Sequence, residues 1–114
     1  MTATRRSTAA LDRTFAALAD PTRRMLLERI GRKPHRAGDL CRGLTISRPA
    51  VSKHLRVLRQ AGLVAASPRG REVLYRLAPA APGIDEARAY LVRASRLWDH
   101  ALQAFKAFAE QEGT

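Results

Sequence analysis

Arg48, Ser52, Lys53 and Arg56 fall at helical spacing in the stretch Ser47-Arg48-Pro49-Ala50-Val51-Ser52-Lys53-His54-Leu55-Arg56. Their side chains suit contact with a polyanion. An arginine in the first turn of a helix, the place of Arg48, presents a planar fork that donates two hydrogen bonds to O6 and N7 of a guanine. Ser52, one turn on, reaches a base or a phosphate. Lys53 and Arg56 flank that face and suit phosphate contacts, which fix register without carrying sequence information. His54 fits either packing at the edge of this helix or contact with a phosphate. A second basic group, Arg69 and Arg71, brackets Gly70 in the turn Ser67-Pro68-Arg69-Gly70-Arg71. Two arginines on such a tip fit a projection that lies along a nucleic-acid backbone or probes the minor groove. Each feature has an ordinary alternative, since basic residues on exposed helices are often merely solvated and any surface turn calls for proline and glycine. The constellation is stronger than its members.

Other chemistry finds little footing. There is no glycine-rich phosphate loop, no serine elbow and no pair of carboxylates in an apolar setting. Asp85 and Glu86 are adjacent acids at the start of a helix, where the dipole favours them. The sequence therefore predicts neither an enzyme nor a cofactor. Cys41, the lone cysteine, cannot form an internal disulfide and offers no paired thiol to a metal; His35, His54 and His100 are scattered over separate segments. A reducing, cytoplasmic compartment fits that usage.

The charge balance agrees with the basic face. The chain has 114 residues and a net charge of +11. Between Pro21 and Arg76 stand 14 Lys or Arg against three acids, Glu28, Asp39 and Glu72, so this segment holds the whole excess. A face made only for solubility does not need such segregation, whereas a phosphate-binding surface does, because neutralised phosphates release condensed counterions. No apolar run approaches the ~20 residues of a membrane span, and the basic residues are spread over several short elements rather than one membrane-surface helix. Double-stranded DNA is the partner expected, and a membrane is not.

The elements that must position these residues can be read from periodicity. Leu11, Phe15 and Leu18 mark a first helix that ends at Asp20-Pro21. Asp20 caps a second, with Pro21 in its first turn, running through Met25, Leu26, Leu27 and Ile30 to Gly31 and Pro34. A third is expected over Ala37 to Leu44, then a tight turn from Gly43 to Ile46. Ser47 caps a fourth, Arg48 to Ala61, with Val51, Leu55 and Leu58 inward and Gly62 as its stop. Two strands, Leu63 to Ala66 and Val73 to Leu77, form a hairpin around the basic turn. A linker from Ala78 to Gly83 leads to a long last helix. Residues 1–10 are expected to be a flexible arm and residues 11–114 one domain of DNA binding and dimerisation. The fold expected is mainly α with a small β-hairpin: a helix-turn-helix followed by a two-stranded wing and a long C-terminal helix.

The last helix carries more apolar surface than a small monomer needs. Ile84, Ala87, Leu91, Ala94, Trp98, Leu102 and Phe105 form one stripe, and Tyr90, Leu97, Ala101 and Phe108 a second beside it. One stripe is expected to pack on its own domain and the other on a second copy, with Leu11 and Phe15 as companions. The alternative is that Trp98 and its neighbours only fill the monomer core.

The runs LADPTRRMLLERI (Leu18 to Ile30), SRPAVSKHLRVLRQAGLV (Ser47 to Val64) and GREVLYRL (Gly70 to Leu77) closely resemble the ArsR/SmtB-type bacterial regulators. The resemblance implies a winged-helix repressor that dimerises through its first and last helices and leaves its operator when an inducer binds. It places DNA contacts at Ser47, Arg48, Pro49, Ser52 and Lys53, with Arg69 and Arg71 in the wing. The metal sites of founding members do not carry over. The third-helix segment has only Cys41, and the last helix has adjacent Asp99 and His100, which point about 100° apart. The last helix instead resembles a non-metal subgroup with a tryptophan at this place. A metal- or redox-responsive repressor using Cys41 and His100 from two subunits is the alternative within the fold; an RNA-binding or protein-interaction module is the alternative outside it. Any inducer would be a small molecule that the sequence does not identify.

Overall fold

The computed structural model describes residues 2–113, with side chains for residues 8–113. Eight elements follow in chain order: α1 (Thr2–Leu18), α2 (Pro21–Arg32), β1 (His35–Arg36), α3 (Ala37–Leu40), α4 (Arg48–Gln60), β2 (Val64–Arg69), β3 (Glu72–Leu77) and α5 (Pro82–Glu112). Local chemistry explains most boundaries. The Asp20 carboxylate accepts from the backbone N–H of Thr22 at 2.8 Å and of Arg23 at 3.1 Å, and Pro21 occupies a first-turn position whose N–H would have no partner. Those bonds, the one from Arg23 first, hold the Asp20 pKa below the ordinary value of 3.8. Ser47 caps α4 through Ala50 N–H at 3.3 Å. At the other end Leu63 N–H donates to Leu58 O and Gly62 N–H to Arg59 O, a Schellman closure with Gly62 at φ 76° and both Leu58 and Leu63 buried.

α2, α3 and α4 enclose the core. Leu26 and Ile30, Leu40, and Val51, Leu55 and Leu58 meet Leu63, Val64 and Ala17 there. The sheet has the order β1-β3-β2, antiparallel throughout, so β2 is an edge on which Pro68 costs no central ladder bond. α1 lies along the first half of α5. Gly83 makes the close approach possible, because a Cβ at that position would collide with Thr14 Oγ1 and come within 3.0 Å of Ala10 O. The Thr14 side chain is fully buried and its hydroxyl has no hydrogen-bond partner among the described residues.

Several expectations need correction. The two-stranded wing gains a third short strand, because His35 and Arg36 pair with Tyr75 and Leu74. The stretch expected as an arm, residues 1–10, is helical from Thr2 onward where described; Ala3, Ala9 and Ala10 favour extension of α1, and no proline or glycine stops it. Met1 and the side chains of residues 2–7 lie outside the described residues. The third helix ends at Leu40, four residues early, because Gly43 turns the chain at φ 74° and Arg29 takes the carbonyls of Leu40 and Arg42 at 3.1 and 3.0 Å. The linker is shorter, since Pro82 starts α5 and Gly83 belongs to it. The hairpin turn narrows to Gly70-Arg71, with Gly70 at φ 65° and no positive φ at Arg71, as in a type II′ turn.

Candidate nucleic-acid interface

α4 sets its two faces in opposite environments. Val51, Leu55 and Leu58 are buried, while Pro49, Ser52, Lys53 and Arg56 are exposed, and at about 100° per residue these four share the side away from the core. Gln60, not singled out from the sequence, joins that face because α4 continues one turn past Arg56. Arg48 is exposed in the first turn beside its cap, Ser47, which is also exposed. Among the described residues Arg48, Lys53, Arg56 and Arg59 form no ion pair.

His54 is set differently from the exposed Ser52, Lys53 and Arg56. It is half-buried, and its Nδ1 lies 3.4 Å from a terminal guanidinium nitrogen of Arg23 on α2. This is the edge packing that was one of its two expected roles.

At the hairpin, Arg69 faces Glu72 in register, yet the Glu72 carboxylate is held by Arg36 of β1 at 2.8 Å. Arg69 and Arg71 are left exposed without an ion pair among the described residues, at the tip of two six-residue strands. β1 therefore secures the base of the wing and removes its acid from the tip.

The central basic excess is not all available for binding. Arg23 donates from Nε to Ala17 O at 2.7 Å and from Nη2 to Ala16 O at 2.9 Å, and Arg24 donates to Leu18 O at 2.7 Å. α1 has no basic residue in its last turn, so these arginines of α2 satisfy its terminal carbonyls. Arg29 closes α3 in the same way, and Arg42 pairs with Asp39 at 3.3 Å. The signal in the sequence was the Ala-Asp-Pro-Thr-Arg-Arg run itself, a cap followed by two arginines at a helix junction.

α5 presents the other unusual surface. Leu97 is 72% exposed, Phe105 70% and Trp98 69%, with Leu91, Leu102 and Phe108 more than half exposed. Trp98 does not fill the monomer core. Tyr90 packs edge-on against Phe15 of α1, centroids 5.7 Å apart, while Leu11 and Phe15 are half-buried and Ala101 is exposed. The radius of gyration is 19.4 Å, against about 13 Å for a compact chain of this length. Among the described residues, the large apolar side chains of the second half of α5, from Leu97 to Phe108, are exposed.

Cys41 is half-buried against the core at the end of α3, and His100 is exposed on the projecting half of α5. Among the described residues no three His, Cys, Asp or Glu side chains gather to hold a metal, and no helix is long and apolar enough to cross a membrane.

This arrangement can be set beside known proteins. Residues 18–65, from the end of α1 into β2, match the family described as a helix-turn-helix domain. Over 102 residues the chain is 42% identical to an HTH-type transcriptional regulator of Mycobacterium tuberculosis, covering 90% of this chain and 91% of that one. It is 41% identical over 81 residues to the arsenical resistance operon repressor of Escherichia coli, covering 64% of this chain and 68% of the repressor. An ArsR-like transcriptional regulator from Rhodococcus sp. matches the fold with a TM-score of 0.67 at 37% identity, covering 90% of this chain and 94% of its own. At this identity and coverage, and with this shared fold, the chain belongs to the ArsR/SmtB family of winged helix-turn-helix transcriptional regulators and is not an enzyme.

Proposed function

We propose that the protein is a cytoplasmic, sequence-specific repressor that binds a palindromic double-stranded DNA operator as a homodimer. The observation that carries this reading is the outer face of α4, where Arg48, Ser52, Lys53 and Arg56 are exposed on a helix whose opposite side is closed into the core. A cation at the start of a helix opposes the macrodipole, so Arg48 is locally unfavourable unless an anionic partner arrives from outside. With Pro49 lacking an N–H and the Ala50 N–H taken by Ser47, the Arg48 N–H is what the first turn offers a phosphate at the same end. Arg48 then reads a guanine, Ser47, Pro49 and Ser52 sit against bases and sugar-phosphate, and Lys53 and Arg56 hold phosphates. Arg69 and Arg71 follow the backbone or enter the minor groove from the wing.

A single α4 reads too few base pairs for a genomic address, and a symmetric pair reads two half-sites about one helical turn apart. The exposed ridge of α5 and the extended shape of the single chain support a second copy as its cover, with Trp98 as the anchor near the middle. The E. coli relative is named a repressor, which supports the sign of regulation.

The test is to sequence the genomic fragments that the protein retains and to measure affinity for the enriched duplex against salt. Enrichment of a palindrome, a slope of log affinity against log salt steeper than about −3, and preference for duplex DNA over structured RNA are expected. No enriched sequence, or a slope shallower than about −3, equivalent to about three phosphates, would refute the reading.

A further inference from the structure

Ala17 of α1 shares the core with α4, and one side chain adds a directed link between the two helices. A crevice of about 220 Å³ separates Ala16 and Ala17 of α1 from Val57, Gln60 and Ala61 at the end of α4. Arg23 spans the junction. Its Nε and Nη2 hold the carbonyls of Ala17 and Ala16, and Nη1 stands 3.4 Å from His54 Nδ1 on α4. Its own backbone N–H is fixed by the Asp20 carboxylate, so the fork starts from an anchored position. Three helices therefore meet on one guanidinium.

The two sides of this joint have different duties under the function proposed above. α4 enters the groove. α1 is locked to α5 by the Gly83 approach to Thr14 and by the Phe15–Tyr90 ring contact, so it moves with the dimer ridge. The buried leucines of α2 and α4 keep α4 on its body, but apolar contact is non-directional and does not by itself fix the angle between that body and α1. The angle matters for spacing. A recognition helix lies about 17 Å from the two-fold axis when half-sites are about 34 Å apart, and a tilt of about 10° displaces it by about 3 Å, nearly one base-pair step.

We propose that Arg23 is the positioning residue that fixes the recognition helix relative to the dimerisation helices, and thereby determines which half-site spacing the protein accepts. The inference rests on the reading of the protein as a dimeric operator-binding regulator. His54, half-buried at the edge of the α4 core face, is the α4 end of the joint. Lysine keeps the charge of Arg23 but is a point donor without the planar fork, and it cannot span two carbonyls and an imidazole together.

Parent, Arg23→Lys and His54→Ala proteins are compared on duplexes whose identical half-sites are separated by the best spacer and by spacers one or two base pairs longer or shorter, and on a single half-site. His54→Ala leaves the α1 carbonyls satisfied, so it opens the joint without removing a helix cap. The parent is expected to prefer one spacing by at least about tenfold, and both variants to narrow that preference to under about threefold while single-half-site affinity stays within about threefold. The salt slope of Arg23→Lys should match the parent, which separates lost positioning from lost charge. Variants that keep the parent's spacing preference overturn the proposal, as does a parent indifferent to spacing. A parent that binds no duplex overturns the functional reading itself.

Discussion

α4 and α5 are both amphipathic helices, and they dispose of their apolar residues in opposite ways. α4 buries Val51, Leu55 and Leu58 almost completely and turns arginine and lysine outward. α5 buries only Gly83 and Ala87 fully and leaves Leu97, Trp98, Leu102, Phe105 and Phe108 to solvent. The difference shows what each helix lacks. α4 is complete as a folded element and short of counter-charge; α5 is incomplete as a folded element and short of apolar cover. A polyanion would answer the first and a second apolar ridge the second, which is what the proposed DNA-binding dimer supplies.

Charging the ridge should have the largest effect. Leu97→Asp or Phe108→Asp leaves the α2–α4 core untouched, yet dimerisation buries the new carboxylate twice across a two-fold axis. At about 2 kcal/mol per protomer the dimer should weaken by about a thousandfold, with operator affinity falling alongside, while the circular dichroism spectrum stays native. A variant that sediments as the parent does would show that α5 is not the interface.

The basic face should divide into readers and holders. Arg48→Ala should cost about 1–3 kcal/mol of specific binding and relax preference at one base step in a binding-site selection. Arg71→Ala should weaken all sequences almost evenly and reduce the salt slope by about 1. An Arg48→Ala protein with the parent's preference at every position would remove base reading from that residue.

Another variant probes the seam through which the two surfaces are held together. Gly83→Ala drives a methyl into Thr14 Oγ1 and should cost about 1–3 kcal/mol in denaturant unfolding, as overpacking does. An unchanged unfolding midpoint would mean that α1 and α5 separate at little cost.

The smallest effect concerns the Asp20 cap. Its pKa is lowered in the folded state, so its charge contributes stability that is present above the unfolded value of 3.8 and lost as pH falls through the folded pKa. Asp20→Asn keeps the cap without the charge. The parent's advantage over it should be complete near about pH 6 and shrink only below 3.8. A gap that closed near neutral pH would point to another group.

Local signals carried much of this architecture. Ser47, Gly62 and Asp20 mark helix ends through bonds made within a few residues of themselves, Pro21 does so by having no N–H to satisfy, and the alternation of α4 is complete in its own stretch. What escaped was made by distant partners. The strand at His35 and Arg36 exists only because β3 arrives beside it, and no two-residue segment has a periodicity to read. Arg23, Arg24 and Arg29 count as basic charge in the sequence, yet in the structure they close the ends of α1 and α3. The candidate site was legible for the same reason as α4, because its residues sit on one helix and one turn; the joint at Arg23 and His54 was not, because it forms between residues 31 apart in sequence on two different helices.

The claim on which the account turns is that two chains, joined through α5, place two copies of α4 on one operator. Sedimentation velocity at micromolar concentration, with and without a duplex bearing the palindrome, tests it directly. A particle of twice the chain mass is expected in the absence of DNA, and two chains per duplex in its presence. A monomer that binds the same palindrome one chain per duplex, with undiminished affinity, would contradict it.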